Sequence, residues 1–276
     1  MILMKILLLS DTHFTHNVED SELKEVLDKQ IPLNEKLDQI LKQENLSTYD
    51  FAVVCGDLVH EGTAEDYQSL KQMLQTKFDQ LPLYFVLGNH DRKNQFYSGM
   101  FNKSSEDAYD YAMVYQDLHF IFLDSAKSHT HSGEFNDYQL AWLADELASN
   151  PLPKVIFQHH PIFGSEYFEN FVFLEPNPII DILQDHPVLA IFTGHTHSPA
   201  VHSLQGLFQY TTYALSFGIE KLADNSQAFT NTCGYSIIEI DNHIVTFAPR
   251  IINPIYQVYK MTDPEEIKAL NQSYEQ

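Results

Sequence analysis

Residues 191–200 read IFTGHTHSPA: an apolar run stops at Gly194, and His195 and His197 follow with one residue between them. The run leading in, LAIFT, is short and continuously apolar, the pattern of a strand buried on both faces. The same pattern occurs five times upstream. MKILLLS leads to Asp11 and His13, FAVVC to Gly56 and Asp57, and LYFVL to Gly88, Asn89, His90 and Asp91. FIFL leads to Asp124, and KVIFQ to His159 and His160. Carboxyl ends of strands are where open α/β sheets gather ligands. Chance supplies one or two such endings; six, carrying metal-ligand residue types, point to one shared site.

Helical patterns lie between the strands. Residues 64–77 place Tyr67, Leu70 and Leu74 on one face, with Thr63 as N-cap and Asp66 three residues on. Residues 137–148 place Leu140, Leu143, Ala144 and Leu147 on one face, with Asn136 and Gln139 suited to a capping box. Residues 20–44 read as helix on both sides of Pro32. Alternation of strand and helix argues an α/β fold. Further on, YSIIEIDNHIVTFAP (235–249) predicts a hairpin turning near Asp241-Asn242. Without repeat, low-complexity tract or linker, residues 1–276 read as a single domain. Its motif-bearing core is about 4–250, and 251–276 form an acidic, partly helical tail.

Composition and charge narrow the partners. Hydrophobic residues are 44% of the 276 and aromatics 13%, enough for a substantial core and against wholesale disorder. No apolar stretch approaches the roughly 20 residues of a membrane helix. MILMKILLLS lacks a basic n-region and a small-residue cleavage site, so it reads as a first strand and not a signal peptide. Cys55 and Cys233 give no disulfide framework, which makes a reducing cytoplasm the expected compartment. Lys plus Arg number 16 against 38 Asp plus Glu, for a net charge of −22. Such a surface repels polynucleotides and anionic membranes. A small anion can still bind where the site itself is positive. Arg92 and Arg250 are the only arginines, so most of that charge must come from elsewhere.

Imidazole and carboxylate are good ligands for divalent first-row metals, and Asn adds a carbonyl oxygen. Asp11, His13, Asp57, Asn89, His159, His195 and His197 are the seven candidates. On an extended segment the two side chains of H-x-H point to one side, so the rings can serve adjacent metals. Asp57 has two carboxylate oxygens and could bridge a pair roughly 3.5–4 Å apart.

The ordered series Asp11-Thr12-His13, Gly56-Asp57, Gly88-Asn89-His90-Asp91, His159-His160-Pro161 and Gly194-His195-Thr196-His197 resembles the calcineurin-like metallophosphoesterase superfamily. The GDLVHEG stretch (56–62), LDS (123–125), Gly133 and QLAWL (139–143) resemble its class III cyclic-nucleotide phosphodiesterase branch and the glycerophosphodiesterase-like relatives. The likeness covers roughly residues 4–220. It implies a four-layer αββα sandwich of two mixed β-sheets flanked by helices, with a dinuclear metal site at the strand ends. Carried over position by position, it implies Asp11, His13, Asp57 and His197 on the first metal and Asp57, Asn89, His159 and His195 on the second. His90 would stand over the substrate as general acid. In His159-His160-Pro161 the family pattern H-x-P makes His159 the ligand, leaving His160, with Arg92, as a candidate substrate contact.

Two divalent ions bring four positive charges; Asp11, Asp57 and a bridging hydroxide return three, leaving an anion site in an acidic protein. The hydroxide would attack phosphorus in line while His90 protonates the leaving oxygen. The nitrogen and oxygen ligands suit Mn, Fe, Zn or Co better than Mg or Ca. Expected substrates are small phosphodiesters, a cyclic nucleotide or glycerophosphodiester-like compound. The alternative is a phosphomonoester on a nucleotide, sugar or phosphoprotein. A homodimer is an open possibility.

Other features are weighed against plainer roles. His129-Thr130-His131 follows no apolar strand and reads as a solvated loop, as do His60 and Glu61; Cys55 reads as packing. Arg92, followed by Lys93, is balanced between phosphate clamp and surface ion pair. Phe163, Tyr167, Phe168, Phe171 and Phe173 read as packing before substrate stacking. The charge yields one expectation: long DNA or RNA is not cleaved efficiently at physiological salt. Incubating both with wild-type and Asp57→Asn protein checks this, and cleavage lost only in the variant would overturn it.

Overall fold

All six apolar runs are strands, and their burial shows why they lack alternation. In β1 (Met4–Leu9), Met4, Ile6 and Leu8 enter one core while Leu7 and Leu9 enter another on the opposite face. The computed structural model describes residues 3–19, 21, 23–127, 130–164, 178–253 and 255–274.

A first sheet carries β1 parallel to β2 (Phe51–Cys55), itself parallel to β3 (Leu83–Val86). On its other side β1 pairs antiparallel with β12 (Gly234–Asp241), and β12 with β13 (Ile244–Ile251). The hairpin turns at Asn242 and His243, both at positive φ (50° and 64°), one residue beyond the expected place. A second sheet has the order β4 (Tyr111–Tyr115), β5 (Leu118–Leu123), β6 (Lys154–Gln158), β7 (Val188–Thr193), β9 (Leu207–Thr211), β8 (Ala200–Leu204). Strands β5, β6, β7 and β9 run parallel, with antiparallel strands at both edges.

Between the sheets lies an aromatic-rich core that includes Ile6, Val53, Phe120, Phe157, Phe192 and Ile238. The outer face of the first sheet packs on α2 (Leu33–Gln43), α3 (Ala64–Phe78) and α4 (Lys93–Phe101) through Leu37, Leu70, Leu74 and Phe96. The outer face of the second packs on α5 (Asp137–Ala148) and α6 (Ile179–Gln184) through Leu143, Leu147, Ile179 and Leu183. The order is helix, sheet, sheet, helix, as expected. Both anticipated capping boxes are present, at Thr63 with Asp66 and at Asn136 with Gln139. Pro32 separates α1 (Lys24–Leu27) from α2.

The tail differs from expectation. Residues 251–276 contribute a strand, β14 (Val258–Thr262), as well as the helix α7 (Pro264–Tyr274). β14 pairs with β11 (Gln227–Thr230), which pairs with β10 (Gly218–Lys221), making a third, antiparallel sheet. Its core is small: Val26 and Leu27 of α1 against Phe217, Phe229 and Tyr259. A strand such as VYKMT buries only Tyr259 and Thr262 and offers no apolar run. Among the described residues, no helix is long and apolar enough to cross a membrane.

The buried face of α2 carries a lysine. Lys36 is 1% exposed, and its ammonium donates to the Ser216 carbonyl (2.6 Å) and to Gln30 Oε1 (2.9 Å). Burial pushes its pKa down to about 8 from an ordinary 10.5. With the folded value the lower one, the unfolded chain binds the extra proton between these values. Stability contributed by this site therefore rises with pH across that window, by an amount on the order of a few kcal/mol. Denaturant titrations at pH 8 and pH 10 should show that rise in the wild type relative to Lys36→Met; parallel curves would contradict it.

Candidate metal centre

The two sheets present the carboxyl ends of β1, β2, β3, β6 and β7 to one place. Asp11 and His13 follow β1, Asp57 follows β2, Asn89 follows β3, His159 follows β6, and His195 and His197 follow β7. Each is at most 6% exposed. Five of these seven have left-handed backbone: Asp11 (φ 50°), His13 (42°), Asp57 (47°), His195 (72°) and His197 (54°). Such conformations cost free energy in non-glycine residues and persist where surrounding structure enforces them. They also revise the H-x-H reading. β7 ends at Thr193, so His195 and His197 stand on a turn and not on an extended segment. The two rings still part, by turn geometry rather than strand alternation. His197 joins Asp11, His13 and Asp57; His195 joins His159 and His160.

The hydrogen bonds fix where the lone pairs point. His197 Nδ1 lies 2.7 Å from the Phe217 carbonyl and His159 Nδ1 lies 3.0 Å from the Cys55 carbonyl. A carbonyl only accepts, so each Nδ1 carries the hydrogen and, in a neutral ring, each Nε2 is a bare lone pair. His159 Nε2 then faces Asp57 Oδ2 at 3.3 Å, and His197 Nε2 faces Asp11 Oδ1 at 3.3 Å. His13 Nε2 is 3.5 Å from Asp57 Oδ2 and 3.1 Å from His197 Nε2. Buried acceptors facing acceptors need a cation between them. That cation is a proton or a metal ion: against burial, the Asp57 and Asp11 carboxylates raise His159 to about 9, so without a metal its Nε2 takes the proton. This donor set fits divalent metal ions, and Asp57 Oδ2 lies between the His13 and His159 rings.

The other anticipated residues sit as follows. Asn89 donates its amide to His131 Nδ1 at 3.3 Å. His195 donates its main-chain N–H to both Asp11 oxygens at 3.1 Å. Asp124, at the end of β5, is turned away and pairs with Lys93 Nζ at 2.8 Å. His160 is fully buried, with Nδ1 2.8 Å from Ser125 Oγ and its ring 4.4 Å from that of His195. That is a place behind the histidines and off the cavity wall. Phe163 packs in the core beneath α5 and α6, and Cys55 is buried packing, as expected. His129, Tyr167, Phe168, Phe171 and Phe173 lie outside the described residues.

A cavity of about 1040 Å³ opens over the centre. His90 and Arg92 line it, together with three residues read from sequence as solvated loop: His60, Glu61 and His131. His60 is only 9% exposed. The segment after Asp57 folds back across the site, because Leu58 and Val59 donate to the buried Asp91 carboxylate (3.0 and 3.2 Å). Proximity to Asp57 within GDLVHEG was the available signal. His131 arrives from the long β5–α5 connection, and its position after a strand end was the signal that it could edge the substrate pocket. Glu61 Oε1 stands 3.5 Å from His90 Nδ1, and Glu61 Oε2 3.4 Å from Arg92. Burial opposes charge on His90, but Asp57 and the Glu61 contact outweigh it and raise its pKa. Arg92 therefore combines the surface ion pair with a place on the cavity wall.

The motif glycines are required by close approach. A Cβ at Gly88 would press into the Asp57 carboxylate and lie 2.8 Å from His159 Nε2, and one at Gly194 would meet Ser10 Oγ and the Asp11 carboxylate. Gly88→Ala should lower metal affinity about 10–100-fold, as displaced ligand supports do elsewhere, while circular dichroism stays unchanged. Full metal content by elemental analysis after dialysis would refute this.

The calcineurin-like phosphoesterase family model matches residues 4–199. A probable cyclic nucleotide phosphodiesterase of Rhodococcus erythropolis is 27% identical over 267 residues, covering 87% of this chain and 85% of that one. A cAMP/cGMP dual specificity phosphodiesterase of Mycobacterium tuberculosis is 31% identical over 199 residues, covering 70% and 61% respectively. Among solved structures, a purple acid phosphatase from yellow lupin (Lupinus luteus) seeds shares the fold, with a TM-score of 0.62 at 16% identity over 97% of this chain and 55% of that one. The buried histidine–aspartate centre and the family match together make this chain a member of the calcineurin-like phosphoesterase family, a metal-dependent phosphoester hydrolase.

Proposed function

We propose that the chain hydrolyses small phosphodiesters, cyclic nucleotides foremost, at a two-metal centre. The observation that carries the two-metal reading is Asp57 Oδ2, set between His13 Nε2 and His159 Nε2 at 3.5 and 3.3 Å, where a bridging carboxylate belongs. Asp11, His13, Asp57 and His197 would hold one ion; Asp57, Asn89, His159 and His195 would hold the other. Mn, Fe, Zn or Co suits this donor set. Bound there, such ions supply Lewis-acid charge for the phosphoryl oxygens and a nucleophile at neutral pH.

The remaining work falls to the chain's own side chains. His90, whose Nδ1 stands 3.5 Å from Glu61 Oε1, would donate its proton to the leaving oxygen. Arg92, on the cavity wall, adds positive charge near the phosphate. The names of the relatives favour a diester. The test is a panel of cyclic nucleotides, linear diesters and monoesters with purified protein and added Mn²⁺. Diesters should be preferred, and a monoester preference would replace this reading with the phosphomonoesterase one.

The role of His90 has its own signature. A general acid matters when the leaving oxygen is basic, as a sugar alkoxide is, and hardly matters for nitrophenolate. His90→Ala should lose roughly 10²–10⁴-fold on an alkoxide-releasing diester and far less on bis-nitrophenyl phosphate, with metal content retained. Equal losses on the two substrates would exclude proton donation as its role.

A further inference from the structure

His60 has no part in the ligand set, yet it touches that set from behind. Its Nδ1 lies 3.1 Å from Nδ1 of His13, and its Nε2 lies 2.8 Å from Ser21 Oγ. The other nitrogen of His13, Nε2, faces Asp57 and His197. His159 and His197 each anchor their outer Nδ1 on a main-chain carbonyl, which admits a single tautomer. His13 is anchored on a second imidazole, which can donate or accept. Its tautomer is thus set by the side chain behind it.

With a metal ion at His13 Nε2, one proton arrangement serves the contacts behind the ring. His13 Nδ1–H donates to His60 Nδ1, and His60 Nε2–H donates to Ser21 Oγ. The serine oxygen also accepts the main-chain N–H of Leu23 at 3.0 Å, which fixes it at the turn entering α1. His13 Nε2 is then a bare lone pair beside Asp57 Oδ2 and His197 Nε2, open to that ion. The reverse arrangement, with His60 Nδ1 donating to His13, would put the hydrogen of neutral His13 on Nε2 and close that ligand. Both rings are buried, His13 at 2% and His60 at 9% exposed, which favours their neutral forms.

We propose that His60 is a positioning residue that locks His13 in its Nδ1-protonated, ligand-competent tautomer and ties the metal centre to Ser21. Outer-shell partners of this kind typically govern metal affinity by 10–100-fold. Both the tautomer assignment and the affinity consequence rest on an ion at His13 Nε2; a single ion suffices for the first, and the second ion belongs to the two-metal reading.

Two measurements separate them. In Zn²⁺-loaded protein labelled with ¹⁵N-histidine, ¹H–¹⁵N correlations should show a His13 Nδ1 hydrogen that exchanges slowly with water in the wild type and fast in His60→Leu. Calorimetric titration with Mn²⁺ should show one of two sites weakened about 10–100-fold in His60→Leu. His60→Asn, whose amide oxygen can accept the same hydrogen, should restore most of that affinity, and Ser21→Ala should lose part of it. Thermal unfolding of each variant tests that the fold is intact. A fast-exchanging His13 Nδ1 hydrogen in the loaded wild type, unchanged affinity in His60→Leu, or equal losses in the Leu and Asn variants would overturn the proposal. A wild type that binds one ion would refute the two-metal reading, while the exchange measurement would still decide the role of His60.

Discussion

A buried carboxylate oxygen flanked by imidazole lone pairs needs a cation, and Asp57 is in that position. Its ring neighbours belong to different sheets: His13 follows β1 of the first, and His159 follows β6 of the second. The spacing of these groups is therefore set by the apolar layer between the sheets, where Phe120, Phe157 and Phe192 meet Ile6, Val53 and Ile238. Interiors are close-packed and yield little, so a core of this kind can hold ligands to the tolerance that metal coordination requires. The strained backbone at five of the seven residues indicates that packing, not local preference, decides their conformation.

The architecture was readable because the inner strands are buried on both faces. Continuous runs such as MKILLL and FAVVC leave little alternative to a covered, largely parallel sheet, and their polar endings mark where ligands collect. The helices were readable through their ends. Thr63 with Asp66, Asn136 with Gln139, and Pro32 each act within four residues, so the sequence carries the whole cause. The residues expected around the metals follow from the same strand ends and from the family pattern; Asp11, His13, Asp57 and His197 lie in one cluster, and His159 and His195 in another with His160.

What escaped the sequence depends on distant partners. The third sheet consists of four- and five-residue strands of mixed polar and apolar residues that offer no run, and β14 finds β11 only through the folded chain. His60, Glu61 and His131 resemble any polar loop until Asp91 draws the 57–62 segment inward and the β5–α5 connection crosses Asn89. His195 and His197 lie in different clusters, but strand alternation is not the reason. Strand alternation predicts side-chain direction only while the strand lasts, and this one ends before the first histidine.

The order of the first sheet bears on how the chain reaches this state. β12 lies between β13 and β1, with Met4 opposite Ile240 and Leu8 opposite Ser236. Until residues 234–241 have left the ribosome, β1 presents an open apolar edge, and the inter-sheet core lacks Ile238 and Ile240. Pairings across so many residues form slowly, and unpaired edges of this kind invite association between nascent chains. The parallel half, β1 to β3, is complete at Val86 and can assemble during synthesis, but the sheet closes only once Gly234–Asp241 have been made. Demand for chaperone protection should therefore fall within that interval, on a surface that the finished enzyme no longer exposes.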